Sequence, residues 1–157
     1  DARCGRRPRA CALRVNDPAL IHLLSTVFMA GVIVFVQVVH YPLMAEVGRG
    51  GFVTYEALHT RRTGWVVAPP MVLEVGSALW LVLLAPTPEY RVWAYGGLAL
   101  LAIIWGSTAL WQIPAHRRLS TGFDAAVHRR LVGTNWVRTV AWILRVPLAV
   151  ALYVWAG

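Results

Sequence analysis

The stretch GWVVAPPMVLEVGSALWLVLLA, Gly64–Ala85, decides what kind of protein this is. Apart from Glu74 it holds no charge, and it is long enough for a helix to cross about 30 Å of hydrocarbon. Three further stretches read the same way: Ala19–Tyr41, Val92–Ile113 and Val137–Ala156. A soluble four-helix bundle needs a polar stripe on every helix. The first and third spans carry no Asp, Glu, Lys or Arg at all. With 58% hydrophobic and 14% charged residues, the 157-residue chain is too apolar for a soluble domain of its size. The sequence therefore predicts an all-α polytopic membrane protein, with four transmembrane helices in a bundle.

Working outward, residues 1–17 form a basic tail expected to lack fixed structure, and residues 18–157 form the membrane domain. Trp65, Trp93, Trp111, Trp136 and Trp155 fall near span ends, where amphipathic rings prefer the headgroup region. Ala85-Pro86-Thr87-Pro88 makes a tight turn between the second and third helices. The other two connections are long and amphipathic. Phe52, Tyr55, Glu56, His59 and Thr63 share one helical face, as do Phe123, Ala126, Val127 and Leu131. Two short interfacial helices lying on the membrane surface are expected there.

All fifteen basic residues are arginine, and the formal charge is +8. The arginines flank the spans, so they point to anionic lipid headgroups rather than nucleic acid. Eight of them (Arg49, Arg61, Arg62, Arg117, Arg118, Arg129, Arg130 and Arg138) lie in the long loops and at the head of the last helix. The opposite side holds Arg91 and the tail. The tail Asp1–Arg14 has no initiator Met and reads either as upstream sequence or as an appended remnant. With it set aside, the positive-inside rule puts the long loops in the cytoplasm and both termini outside, across a plasma (inner) membrane. Cys4 and Cys11, both in the tail, are given no role.

Two charges sit inside the apolar spans: Glu74 in the second and Arg145 in the fourth. Each costs about 2.5–3.5 kcal/mol at the bilayer centre, which pairing relieves. Their spacing is informative. Gly51, Phe52, Thr63, Trp65 and Val66 recur 71 residues later as Gly122, Phe123, Thr134, Trp136 and Val137. The same offset carries Glu74 onto Arg145. A tandem repeat of two-helix units would give this pattern, as would convergence of two similar helix heads. The pair reads either as a structural staple or as an anchor for a polar substrate group.

A second set of polar residues gathers at the loop face. His40 and Tyr41 end the first span, and Gln112 and His116 end the third. Glu56, His59, Asp124 and His128 lie in the long loops, and Asn135 and Arg138 open the fourth span. Glu56-x-x-His59 has the spacing of a di-iron carboxylate helix, but that architecture needs a second such motif and two further glutamates. Bis-histidine haem needs two histidines facing each other within the bundle, and these are placed at its rim. No cofactor and no bound metal is expected, with haem and di-iron as the alternatives.

Asn135-Trp136-Val137-Arg138-Thr139 at the head of the last helix, and Gly31 with His40-Tyr41-Pro42 in the first, resemble the anthrone-oxygenase-like family of small four-helix membrane proteins. The resemblance implies oxidation of anthrones to anthraquinones by molecular oxygen without metal or flavin. It implies site roles for His40, Asn135 and Arg138, while Glu74 and Arg145 match nothing in the family pattern. Such an enzyme must remove a proton from an acidic C–H and stabilise the enolate, with His40 or His59 as base and Arg138 and Asn135 as donors. The expectation is thus an oxygenase-like enzyme on a lipophilic aromatic or quinone-like small molecule. The alternatives are an accessory or assembly subunit of a larger membrane complex, or a small transporter. A homo-oligomer is compatible with each.

Overall fold

A computed structural model of the chain describes residues 17–156; the tail 1–16, with both cysteines, and Gly157 lie outside them. Four long helices follow one another: α1 (Pro18–Met44), α2 (Phe52–Leu83), α3 (Pro88–Leu119) and α4 (Ala125–Ala156). All four are long and apolar enough to cross a membrane, as an integral, multi-pass membrane protein requires.

Local chemistry sets the helix starts. The Asp17 carboxylate accepts from the Ala19 N–H (2.8 Å), and the Thr87 hydroxyl accepts from the Tyr90 N–H (3.2 Å). A proline follows each cap, where its missing donor costs nothing. Before α4, Asp124 accepts from the N–H groups of Val127 (3.1 Å) and Ala126 (2.8 Å), which hold its carboxyl below the usual carboxylate range.

The two amphipathic loop segments correct the sequence reading. They are not separate surface helices but the first turns of α2 and of α4, continuous with the spans that follow. Phe52, Glu56, His128 and Leu131 are buried against neighbouring helices, so the amphipathic face serves bundle packing rather than the membrane surface. Each span is consequently longer than its apolar core.

The closest packing joins α1 to α2 and α4, and α3 to α4 and α2, so α2 and α4 sit on a diagonal of a square bundle. The outside is apolar, with Leu24, Phe35, Val72, Leu83 and Leu110 all exposed. The inside alternates. One apolar layer (Ala19, Leu81, Tyr90, Leu152) lies at the tight-turn end, a second (Met29, Ile33, Met71, Trp142) in the middle, and a third (Tyr41, Phe52, Leu119, Leu131) at the loop end. Buried polar groups fill the gaps between them. This inverted distribution needs lipid outside it.

Both α1 and α3 contain a π-helical turn, Val36–His40 and Thr108–Gln112. Tyr41 N–H reaches back five residues to the Val36 carbonyl, and Ile113 N–H to that of Thr108. A proline comes next in each case, Pro42 and Pro114. Its ring crowds the carbonyl one turn back, and a wide turn relieves the clash. The two turns stand in corresponding positions of the two helix pairs. Residues 71 apart also meet across the centre: the Phe52 and Phe123 rings pack edge to face at 4.9 Å, and Glu74 reaches Arg145. A two-fold axis along the membrane normal would place them so.

The arginine distribution makes a topology prediction. Reporter fusions after Pro86 and after Ala156 should read as external, and fusions within 49–62 as cytoplasmic. The opposite pattern would show that the basic tail sets the orientation.

Candidate functional site

Two polar assemblies occupy the gaps between apolar layers, and helical spacing builds both. On α4, Arg138, Trp142 and Arg145 fall at i, i+4 and i+7 on one inward face; on α1, His22 and Thr26 do the same.

The inner assembly centres on Glu74, which is 0% exposed, and Arg145, 1% exposed, with a guanidinium nitrogen 3.1 Å from the carboxylate. The same carboxylate accepts from the Thr26 hydroxyl (2.8 Å) and from the Trp142 indole N–H (3.2 and 3.3 Å). The other terminal nitrogen of Arg145 donates to the Gly97 carbonyl at 2.8 Å. His22 completes the set. Arginine only donates, so His22 Nε2, 3.4 Å away, accepts from it. The His22 proton then sits on Nδ1 and goes to Ser77 Oγ (3.1 Å), whose own hydroxyl donates to the Leu73 carbonyl (2.7 Å). All four helices contribute, and the carboxylate is walled in on every side. Through these contacts the carboxylate and the guanidinium touch groups from all four helices.

The outer assembly surrounds a cavity of about 420 Å³ that opens towards the loop face. Its walls are apolar: Met29, Val32, Ile33 and Val36 from α1, Val67 from α2 and Ile113 from α3. Its polar lining includes His59, His116, Tyr41, Gln112 and Arg138, with Arg117 near the mouth and the hydroxyls of Thr60, Thr63, Thr108 and Ser120 between them. His116 Nδ1 lies 2.6 Å from the buried Glu56 carboxylate, short enough for a charge-assisted bond. His116 Nε2 faces the Tyr41 hydroxyl at 3.4 Å. Glu56 thus fixes the orientation of the ring: Nδ1–H donates to the carboxylate, which leaves Nε2 as the acceptor facing the Tyr41 hydroxyl.

Several polar groups here have unused capacity. Gln112 donates to Thr134 Oγ1 at 3.0 Å, but its buried amide oxygen has no partner. Arg138 donates to the Asn135 amide oxygen (3.3 Å) and lies over the Trp142 ring (5.4 Å), while its Nε is buried and unpartnered. Among the cavity's lining groups, the Gln112 amide oxygen is thus an acceptor and the Arg138 guanidinium a cationic donor with capacity to spare. Trp142 links the two assemblies, with its face towards Arg138 and its N–H on Glu74.

Four residues were expected to carry the site. His59 and Arg138 line the cavity. Asn135 does not line it: its amide nitrogen donates to Gln37 (2.8 Å), tying α4 to α1, and its oxygen orients Arg138. His40 also lies outside it. The π-helical turn carries His40 to the outer flank of α1, where its ring stacks on His59 at 4.2 Å and its Nε2 meets the Tyr55 hydroxyl at 3.3 Å. His128 bonds the Tyr41 carbonyl (2.9 Å) and is structural. The Glu56–His116 contact was not foreseen. The sequence put both residues at the rim, but only the packing of α2 against the end of α3 brings them together. Among the described residues, no group of three or more His, Cys, Asp or Glu is placed to hold a metal ion.

Comparison with protein-family models, with curated proteins and with solved structures finds no match to this chain.

Proposed function

We propose that this membrane protein is a cofactor-independent oxygenase-like enzyme acting on a lipophilic aromatic or quinone-like substrate. The observation that carries the reading is the Glu56–His116 dyad, 2.6 Å apart, in an apolar-walled cavity that also holds Arg138. In this scheme substrate displaces the long Tyr41 contact (3.4 Å) from His116 Nε2, which takes a proton from the acidic C–H of an anthrone-like substrate, and Glu56 stabilises the imidazolium. The carbanion's charge moves to the ring oxygen, where Arg138 supplies a donor in a low-dielectric pocket. The reaction balances as anthrone plus O₂ giving anthraquinone plus water: oxygen adds at the deprotonated carbon, the His116 imidazolium returns its proton to the peroxide anion, and the hydroperoxide loses its remaining C–H proton and hydroxide as water. Gln112 offers its free amide oxygen to a phenolic hydroxyl. Asn135 acts as a positioning residue through Arg138.

The rival readings differ in what supports them. A transporter needs a path past Glu74, and that carboxylate is fully enclosed. An accessory subunit needs a face for a partner helix. Gly96, Ala99 and Ala102 line up outward on α3, which favours that second reading, whereas Gly97 faces inward to Arg145. The test is direct. Purified protein in detergent, given anthrone and air, should take up oxygen and form anthraquinone well above the spontaneous rate, in equal amounts. Product formation no faster than the protein-free control would remove the enzyme reading and leave the subunit.

A further inference from the structure

A second depression, about 450 Å³, lies outside the bundle between α1 and α2. It is lined by Gly31, Phe35 and Val66, with His40 and Arg62 at its loop end. Five of its residues also line the inner cavity: Val32 and Val36 from α1, and His59, Thr63 and Val67 from α2. Each set is a single stripe, one turn apart on its helix. The two spaces are therefore separated by side chains alone, three of them valines. Gly31 adds to the opening, because nothing lies within 4 Å of where its Cβ would be, so packing does not require a glycine there. Aromatic rings run through the partition as well: His59 stacks on His40 outside (4.2 Å) and approaches His116 inside (5.5 Å).

We infer that the substrate carries an apolar tail, which lies in the groove between Gly31, Phe35 and Val66 while its aromatic head occupies the inner cavity. The inference rests on reading that cavity as the seat of an aromatic head. Such a substrate reaches the site from within the bilayer, crossing the valine partition between α1 and α2. A head group without a tail occupies the inner cavity and leaves the groove to lipid. The groove's polar end, with His40 and Arg62, faces the headgroup region, and its apolar end runs towards the bilayer interior. A tail leaving the cavity here meets no charge along its course.

The experiment compares two probes with one head: 2-methyl-1,4-naphthoquinone, and the same ring bearing a phytyl tail. Binding to purified protein is read by native mass spectrometry at a fixed micelle concentration, so that partitioning cancels between variants. Wild type should bind both. Gly31→Trp and Val66→Trp, which fill the groove from opposite walls, should each weaken the tailed probe by about ten-fold or more and leave the bare head within about two-fold. Equal loss of both probes, or no loss of the tailed one in either variant, overturns the inference. Failure of wild type to bind the bare head strikes instead at the reading of the cavity, and is distinguishable for that reason.

Discussion

Replacing Glu74 with Gln should lower the stability of this protein by about 3–5 kcal/mol, and Arg145→Leu should do the same. Each change strands one partner of a pair that is fully buried, 3.1 Å apart, in the middle of the bundle. Gln at 74 keeps an acceptor for Thr26 and Trp142, so its cost isolates the uncompensated guanidinium. Exchanging both residues for apolar ones, Glu74→Met with Arg145→Leu, removes the stranded charge but recovers only part of the loss. The Trp142 N–H then has no acceptor, at a cost on the order of 1 kcal/mol. Adding Trp142→Phe should restore most of the remainder. The measurement is equilibrium unfolding in mixed micelles. A single variant as stable as wild type would show that the pair contributes nothing to the bundle, and a double variant as poor as either single would show that charge burial is not the cause.

Glu56→Gln should reduce turnover by about 100-fold or more while leaving the fold intact, because the amide keeps the shape of the carboxylate but not its charge. His116→Ala should lose at least as much. The double variant should be no worse than His116→Ala alone, since the carboxylate acts only through the imidazole. Initial rates of oxygen-dependent quinone formation give the comparison, with unfolding midpoints as the control for folding. Arg138→Lys should retain part of the activity that Arg138→Ala loses, because the charge remains while the planar fork is gone. Full activity in Glu56→Gln would remove the dyad from the reaction. Full activity in His116→Ala would also require another base, and His59, lining the same cavity, would be the one to test next.

Much of the architecture is legible along the chain, because lipid demands that each span satisfy its own backbone, and an apolar run of about 20 residues does so as a helix. The four spans, the tight turn at Pro86 and the inward placement of polar residues follow from that rule. Glu74 and Arg145 are conspicuous in sequence for the same reason, and the offset of 71 residues pointed from one to the other. That they meet across a diagonal, with Thr26, Trp142, His22 and Gly97 closing the shell, depends on how four helices pack.

The loop-face site divides differently. Sequence put His40, His59, Asn135 and Arg138 on one side of the membrane, since topology alone decides which span ends share a face. It could not say which of them share a cavity. Two π-helical turns, each relieving a clash with a following proline, rotate the ends of α1 and α3, and no hydrophobic pattern reports a rotation of that kind. The first carries His40 to the outer flank, and the second lies just ahead of His116. The continuity of α2 from Phe52 to Leu83 then brings Glu56 to His116, 60 residues away in the chain. Composition and periodicity determined that this protein spans a membrane with a polar interior. Which polar groups touch was decided by helix rotation and packing, because contact depends on angles between helices that a one-dimensional pattern does not contain.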